Sequence, residues 1–488
     1  MRRIFRTPTG ILAIVASVLG GLALAMSMSG CDAGTGSAAE DPSQANTLFD
    51  SLPVYYPGTE TLGSDEMRIT FLGTSCIPRL SQECNSIFVE VGDGMGESDQ
   101  FVFDLGTGVM AKYNAMGIPT NKMNKVFLTH LHGDHTSDLT HLYCFGPSED
   151  RKAPLYIFGP SASLLTDPVS GHYYSDDGVN TFCQDLRKVN RWHTESFSFE
   201  STSYGTASDP ARPTRASWGL PCDPTPASDG ICPDNPIDGY ALIPIELDWQ
   251  KSGVVPDDNV AYNNPASGVK ITHFPAIHCR QGSISYKLEW NGLSMIFSGD
   301  TKPNHTMVKQ AAGVDVLIHE MVVPADVWAM KNFHITDSTQ IDSVTWTTAL
   351  AFATAVQNSS HTPQGAFGYI LSQISSPPRL TVATHFQAAD DTIASALTSV
   401  RNHYPTGEVT FAADLMVLNV TKTEIRQRRA VVSNYAFYPK ATLYHPMNMP
   451  KYHNTDGTMN PYAQINRTDE IPPTDPDTGE EYYREDGY

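Results

Sequence analysis

Six consecutive residues constrain this chain more than any other feature. His130-Leu131-His132-Gly133-Asp134-His135 gathers three imidazoles and a carboxylate on one short stretch of backbone. Imidazole nitrogen and carboxylate oxygen are the donors that Zn²⁺, Mn²⁺ and Fe²⁺ share. The residues just before, Lys125 to Thr129, form a short apolar run that reads as a buried strand. Residues i and i+2 leaving a strand point to the same side, so His130 and His132 reach one ion. Gly133 permits a sharp turn, after which Asp134 and His135 face a second ion close by. A chance histidine cluster on a surface loop would not account for the strand that delivers it.

Strand-like runs recur on both sides of this motif. They cover Arg68 to Gly73, Ser86 to Val91, Gln100 to Asp104, Leu155 to Phe158, Val269 to Pro275, Ser283 to Trp290, Leu293 to Ser298, Val314 to His319 and Leu380 to Thr384. Met110 to Met116 and Thr347 to Val356 have helical character. Hydrophobic residues make up 40% of 488, enough for a large core. Residues 146–258 are rich in Pro, Asp, Ser and Gly and read as a large irregular insertion over the functional face. Residues 32–65 read as a flexible tether, 66–437 as the folded domain, and 438–488 as an acidic, extended tail.

The motif resembles the HxHxDH signature of the metallo-β-lactamase superfamily. Its flanks narrow the resemblance to ribonuclease Z-like and arylsulfatase-like members: Phe71 to Thr74 with Pro78-Arg79, and Asp104 to Gly108. Downstream, in the family's order, come His278 with Gly282-Ser283 and Tyr286, then Ser298-Gly299-Asp300-Thr301, then Asp315 to Glu320. His361-Thr362-Pro363 and Thr384-His385-Phe386 follow. The resemblance runs from about Met67 to Val420. It implies an α/β fold, the αββα sandwich of two mixed sheets with helices outside.

It also implies a ligand set. His130, His132 and His278 would hold one divalent ion, Asp134, His135 and His385 a second, and Asp300 would bridge them. The ions would be zinc, with manganese or iron sharing the same donors. A bridging hydroxide would then be the nucleophile at neutral pH. Asp134, Glu320 and His361 take the catalytic roles, the last two supporting proton delivery to the leaving group. His273 competes with His278, but it sits within a strand-like run rather than the loop after it. His334 competes with His361 and lacks the Thr-Pro context. His141, His172, His193 and His305 read as surface residues, and His445 and His453 lie in the tail. Tyr143, Phe145 and Trp192 are candidates to line a pocket, with ordinary packing the plainer reading of each.

The N-terminus resembles a targeting segment. Arg2, Arg3 and Arg6 precede an apolar run from Ile11 to Met28, and Met28-Ser29-Gly30-Cys31 resembles a bacterial lipobox. This implies an exported lipoprotein anchored to a membrane through Cys31, with a signal peptide over 1–31. No second apolar run approaches the roughly 20 residues of a membrane span. An oxidising compartment permits disulfides. Cys222 with Cys232 is the favoured pair, then Cys76 with Cys84 and Cys144 with Cys183, which leaves Cys279 free.

The net charge of -21 argues against a nucleic-acid partner, since phosphate-backbone binding is driven by Lys and Arg. The function implied is a binuclear metal-dependent hydrolase of a small anionic ester, foremost a phosphodiester. A sulfate ester, a lactone or a β-lactam is the alternative on the same fold. A non-catalytic metal-binding lipoprotein is the reading from a different class. A homodimer is compatible with the sequence.

Overall fold

The computed structural model describes residues 47–433 other than 93–96, 150, 152, 199–238, 336–338 and 340. Among the described residues, sixteen strands make two sheets. The nine-stranded sheet runs, in spatial order, β1 (Val54–Tyr55), β16 (Ile425–Ala430), β15 (Met416–Val420), β2 (Met67–Gly73), β3 (Ser86–Gly92), β4 (Glu97–Phe103), β5 (Lys125–Phe127), β6 (Leu155–Pro160) and β7 (Leu242–Leu247). The seven-stranded sheet runs β14 (Val409–Phe411), β13 (Leu380–Thr384), β12 (Val316–Glu320), β11 (Leu293–Phe297), β10 (Ile284–Trp290), β9 (Val269–Pro275) and β8 (Val260–Asn264).

Alternate residues of a strand face opposite sides of its sheet. Here both sides are apolar, so each sheet must be covered twice. Ile87, Val89, Phe101, Phe103, Phe127 and Phe158 meet Tyr286, Leu288, Met295, Phe297 and Ile318 between the sheets. The residues between or beside them, Phe88, Val102, Val126 and Ile157, face outward, onto helices Val109–Met116, Leu139–Glu149 and Val179–Ser198. On the other sheet Phe274, Ile296, Leu317 and Ala383 face helices His305–Gln310, Gln364–Gln373 and Asp390–Arg401. The result is the four-layer αββα sandwich of the metallo-β-lactamase fold.

Strand direction decides where the chemistry lies. β4 and β5 are parallel, and so are β11, β12 and β13. Five of the residues singled out by the sequence sit at or just past the carboxyl ends of these strands: Asp104, His130, Asp300, Glu320 and His385. In α/β sheets that is where ligand sites form, because the loops leaving parallel strands converge there.

Three expectations need correction. Residues 54–62, expected in a tether, join the domain: Tyr55 pairs with Ala430 in register, and Leu62 is buried. The irregular insertion is smaller than 146–258, since it contains β6, β7 and the twenty-residue helix Val179–Ser198. The disulfides Cys76–Cys84 and Cys144–Cys183 do not form, and all four thiols are free, as is Cys279. Each engaged thiol has another partner. Cys84 Sγ lies 3.6 Å from the Cys76 carbonyl, Cys76 Sγ accepts from Gln387 Nε2 at 2.9 Å, and Cys144 Sγ donates to Asn190 Oδ1 at 3.3 Å. Cys183 is packed in the helix-facing core. Cys31, Cys222, Cys232 and the tail from 438 lie outside the described residues.

Phe127 is fully buried and stacks on Phe158 at 4.3 Å. Phe127→Ala is therefore expected to cost about 3–5 kcal/mol of stability, read as a lower urea midpoint. His273 supplies a pH dependence. Burial pushes this imidazole down to about 4, so the native form is neutral while the unfolded form takes up a proton near its ordinary value. The contribution is present above that value and is lost as pH falls toward 4. The loss at pH 5 amounts to about 2 kcal/mol. His273→Gln should show a correspondingly smaller loss of urea resistance between pH 7 and pH 5.

Candidate metal centre

The motif loop is held from both sheets. Leu128 N–H donates to the Phe158 carbonyl at 2.7 Å, and Ile284 N–H donates to the Thr129 carbonyl at 2.9 Å. The Tyr286 hydroxyl donates to the Leu128 carbonyl at 2.8 Å. The Gly299-Asp300 turn then comes in from β11. Gly299 has φ 56°, and a Cβ there would lie 2.4 Å from Thr129 Cβ. Only glycine lets these two loops touch, and their contact brings Asp300 to the histidines. Gly106 does the same on the other flank, where a Cβ would lie 2.1 Å from the Asp134 carbonyl.

Two groups of donors result. The nitrogens of His130, His132 and His278 lie within 4.8 Å of one another, as do the donor atoms of Asp134, His135, Asp300 and His385. His132 Nδ1 is 3.0 Å from His130 Nε2 and 3.2 Å from His278 Nε2. Asp300 stands between the groups. Its Oδ1 is 3.2 Å from His135 Nε2. Its Oδ2 is 3.3 Å from His385 Nε2, 3.7 Å from His278 Nε2 and 3.9 Å from His130 Nε2. Every residue expected as a ligand is thus brought together. His273 is buried in β9 outside both groups, which resolves the third-histidine alternative in favour of His278.

The donors fit metal ions in three ways. Asp300 Oδ1 and His135 Nε2 are buried 3.2 Å apart, yet neither makes a hydrogen bond, and buried polar atoms without one are costly. The far ring nitrogens of two histidines are fixed by acceptors, as in metal-ligating imidazoles. His135 Nδ1 donates to Asp104 Oδ2 at 2.7 Å, and His278 Nδ1 donates to the Ser360 carbonyl at 2.8 Å. Burial also holds His130 well below its ordinary range and pushes His278 down to about 4. Both rings are then neutral, the form that ligates. Burial opposes the charge on Asp300, but His385, His135 and His130 outweigh it and hold the carboxyl well below its usual range.

Asp104 had no role assigned from sequence. It is fully buried in a left-handed conformation, φ 53°. It accepts from Thr129 N at 2.8 Å, from Thr129 Oγ1 at 2.9 Å and from His135 Nδ1. Its position one residue beyond a strand that pairs in parallel with the motif strand was the available signal.

Behind the donors, His361 Nδ1 lies 3.1 Å from both oxygens of Glu320. Burial works against the charge on His361, but Glu320 outweighs it and pushes the ring up to about 9. Burial likewise pushes Glu320 up, against the pull of His361. The pair therefore holds a proton at neutral pH. It rests on His361, because Thr301 N–H donates to Glu320 Oε1 at 2.6 Å and favours the carboxylate. His334 is exposed and apart, so it is no rival to His361. The named aromatics do not form a pocket. Tyr143 is core, Phe145 packs on His141 and His193, and Trp192 is at the surface.

The Metallo-beta-lactamase superfamily profile matches residues 82–143, which include the motif. Ribonuclease BN of Proteus mirabilis is 26% identical over 272 residues, 53% of this chain and 78% of that protein. Ribonuclease Z of Methanothermobacter thermautotrophicus is 24% identical over 272 residues, 53% of this chain and 75% of that protein. The solved human tRNase Z, short form, is 19% identical, with a TM-score of 0.38 over 72% of this chain and 98% of that one. The metallo-beta-lactamase fold protein YhfI of Bacillus subtilis is 14% identical, with a TM-score of 0.42 over 73% of this chain and 100% of that one.

Asp104→Asn keeps the shape but removes the charge and puts an NH₂ donor in place of one of the two oxygens that accept from Thr129 and His135. It should weaken divalent-metal affinity by roughly 10–100-fold, measured by competition with a chelating dye, with the circular dichroism spectrum unchanged. The motif lies within the stretch similar to the Metallo-beta-lactamase superfamily, the chain is similar to ribonucleases Z and BN, and its described residues gather a His/Asp cluster that could hold metal ions.

Proposed function

We propose that the protein hydrolyses a small anionic phosphoester, foremost a phosphodiester, at a two-metal centre. His130, His132 and His278 hold one ion, Asp134, His135 and His385 the other, and Asp300 is shared. The observation that carries this is Asp300 itself, a carboxylate 2% exposed whose two oxygens face histidines of both groups. Zinc is the proposed ion, and manganese and iron fit the same donors. Two divalent ions there supply a water nucleophile at neutral pH and stabilise charge that develops on the ester oxygens.

The chain's own groups complete the reaction. Asp300 and Asp134 set the charge and position of the centre. Water adds to phosphorus, the bond to the leaving oxygen breaks, and the proton on His361 passes to that oxygen. The proton released by the attacking water restores the pair. Glu320 holds His361 in orientation and in its charged form.

The relatives' names point to phosphodiester chemistry. The charge of -21 favours a small substrate over RNA. Export and a lipid anchor at Cys31 belong to the same proposal and rest on residues 1–31. Among the described residues, no helix is long and apolar enough to cross a membrane.

The test is hydrolysis of a chromogenic phosphodiester beside the matching sulfate ester, by protein loaded with Zn²⁺ or Mn²⁺. Phosphodiester turnover that disappears with chelator and in Asp300→Ala is expected. Turnover of the sulfate ester alone would move the assignment to a sulfatase. His361→Ala should lower kcat by about 10²–10⁴-fold while bound metal is retained, as loss of a general acid does.

A further inference from the structure

The second donor group is drawn from both sheets. Asp134 and His135 follow β5 of the nine-stranded sheet, while Asp300 and His385 follow β11 and β13 of the seven-stranded sheet. Its geometry therefore depends on what fixes the end of β13 against the other sheet. His385 itself needs holding. Its φ is 58°, in the left-handed region, which a residue with a side chain keeps only where its surroundings impose it.

The loop between β2 and β3 supplies those surroundings. Phe386 N–H donates to the Thr74 carbonyl at 3.0 Å. The Gln82 carboxamide then takes two more backbone groups. Its Nε2 donates to the Phe386 carbonyl at 3.0 Å, and its Oε1 accepts from Ala388 N–H at 2.9 Å. A residue of a parallel neighbouring strand bonds in this pattern, to the carbonyl before and the N–H after the residue opposite. One side chain thus continues the pairing of β13 past the kink at His385. The Arg79 guanidinium adds a bond to the Ala388 carbonyl at 2.7 Å.

Gln82 is in turn fixed. It is 2% exposed. Its Nε2 also donates to Thr74 Oγ1 at 2.7 Å, and Thr74 Oγ1 donates to Asp414 Oδ1 at 2.6 Å. Its Oε1 also accepts from Arg79. The Asp414 carboxylate is buried, paired with Lys112, and accepts from Glu83 N–H at 2.7 Å. With acceptors at one end of the amide and donors at the other, it can point only one way. Gln82 bonds the backbone that carries His385, not the imidazole, so it acts on the centre through His385.

We propose that Gln82 is a positioning residue for the second metal ion: its carboxamide, aligned by Thr74 and Asp414, holds the left-handed His385 against Asp134 and Asp300. This rests on the two-metal reading and names what places one of its ligands. His385 Nε2 lies 3.3 Å from an oxygen of each carboxylate, so a small swing of the backbone after β13 would take the nitrogen out of the group.

The experiment is a calorimetric zinc titration of the full chain stripped of metal, with a chelator as competitor. The wild type should take up two ions. Gln82→Met keeps the length of the side chain and removes its polar end. It should leave one ion at wild-type affinity and weaken the other at least tenfold. His385→Ala should weaken the same ion. Adding Gln82→Met to His385→Ala should change no remaining affinity by more than twofold. Weakening of both ions alike, a further loss in the His385→Ala background, or no effect of Gln82→Met would each overturn the inference. If Gln82→Met fails to fold, two variants of Thr74 take its place. Thr74→Val loses the hydroxyl between Gln82 and Asp414 and should weaken the second ion at least threefold. Thr74→Ser keeps that hydroxyl and should bind within twofold of the wild type. Equal affinities in the two variants would overturn the inference. A wild type that binds a single ion, weakened by Gln82→Met but not in the His385→Ala background, overturns the two-metal reading and upholds the positioning.

Discussion

The organisation of the molecule turns on one buried charge. Asp300 is 2% exposed, and a carboxylate so buried persists only with partners on every side. Those partners come from three separate strand ends: His130 and His135 after β5, His278 after β9, and His385 after β13. No local sequence preference could assemble them. It takes two sheets packed face to face, with parallel strands that send their carboxyl ends to one edge. The apolar core of phenylalanines between the sheets fixes that edge, and Gly299 removes the last obstacle to contact with Thr129.

Around this charge the electrostatics divide the labour. Burial keeps His130 and His278 neutral and ready to ligate, while the nearby carboxylates raise His135. Glu320 keeps a proton on His361. Identical imidazole chemistry thus takes two forms within one site, separated by which oxygen each ring faces.

Much of this was legible in the sequence, for a physical reason. Apolar, β-branched and aromatic runs located β2, β3, β4, β5 and β9 to β13, and the resemblance of the ordered motifs supplied all seven donor residues. Strands β1, β14 and β16 lack such a run, because they are short or carry charge, as in Ile425–Ala430 with its three arginines. Asp104 carried no mark of its own, since its role depends on the register between β4 and β5. The Cys76–Cys84 and Cys144–Cys183 expectations failed because the sequence does not say where a thiol points. Cys76 turns to Gln387 and Cys144 to Asn190. The polar composition of 146–258 concealed the helix Val179–Ser198 and β7, whose buried residues are interspersed with surface ones.

Anomalous diffraction from crystals of the zinc- or manganese-loaded protein tests the central claim most directly. Two peaks roughly 3.5–4 Å apart are expected, one among His130, His132 and His278 and the other among Asp134, His135 and His385, with Asp300 touching both. A single peak, or none within this cluster, would contradict a two-metal centre organised by Asp300.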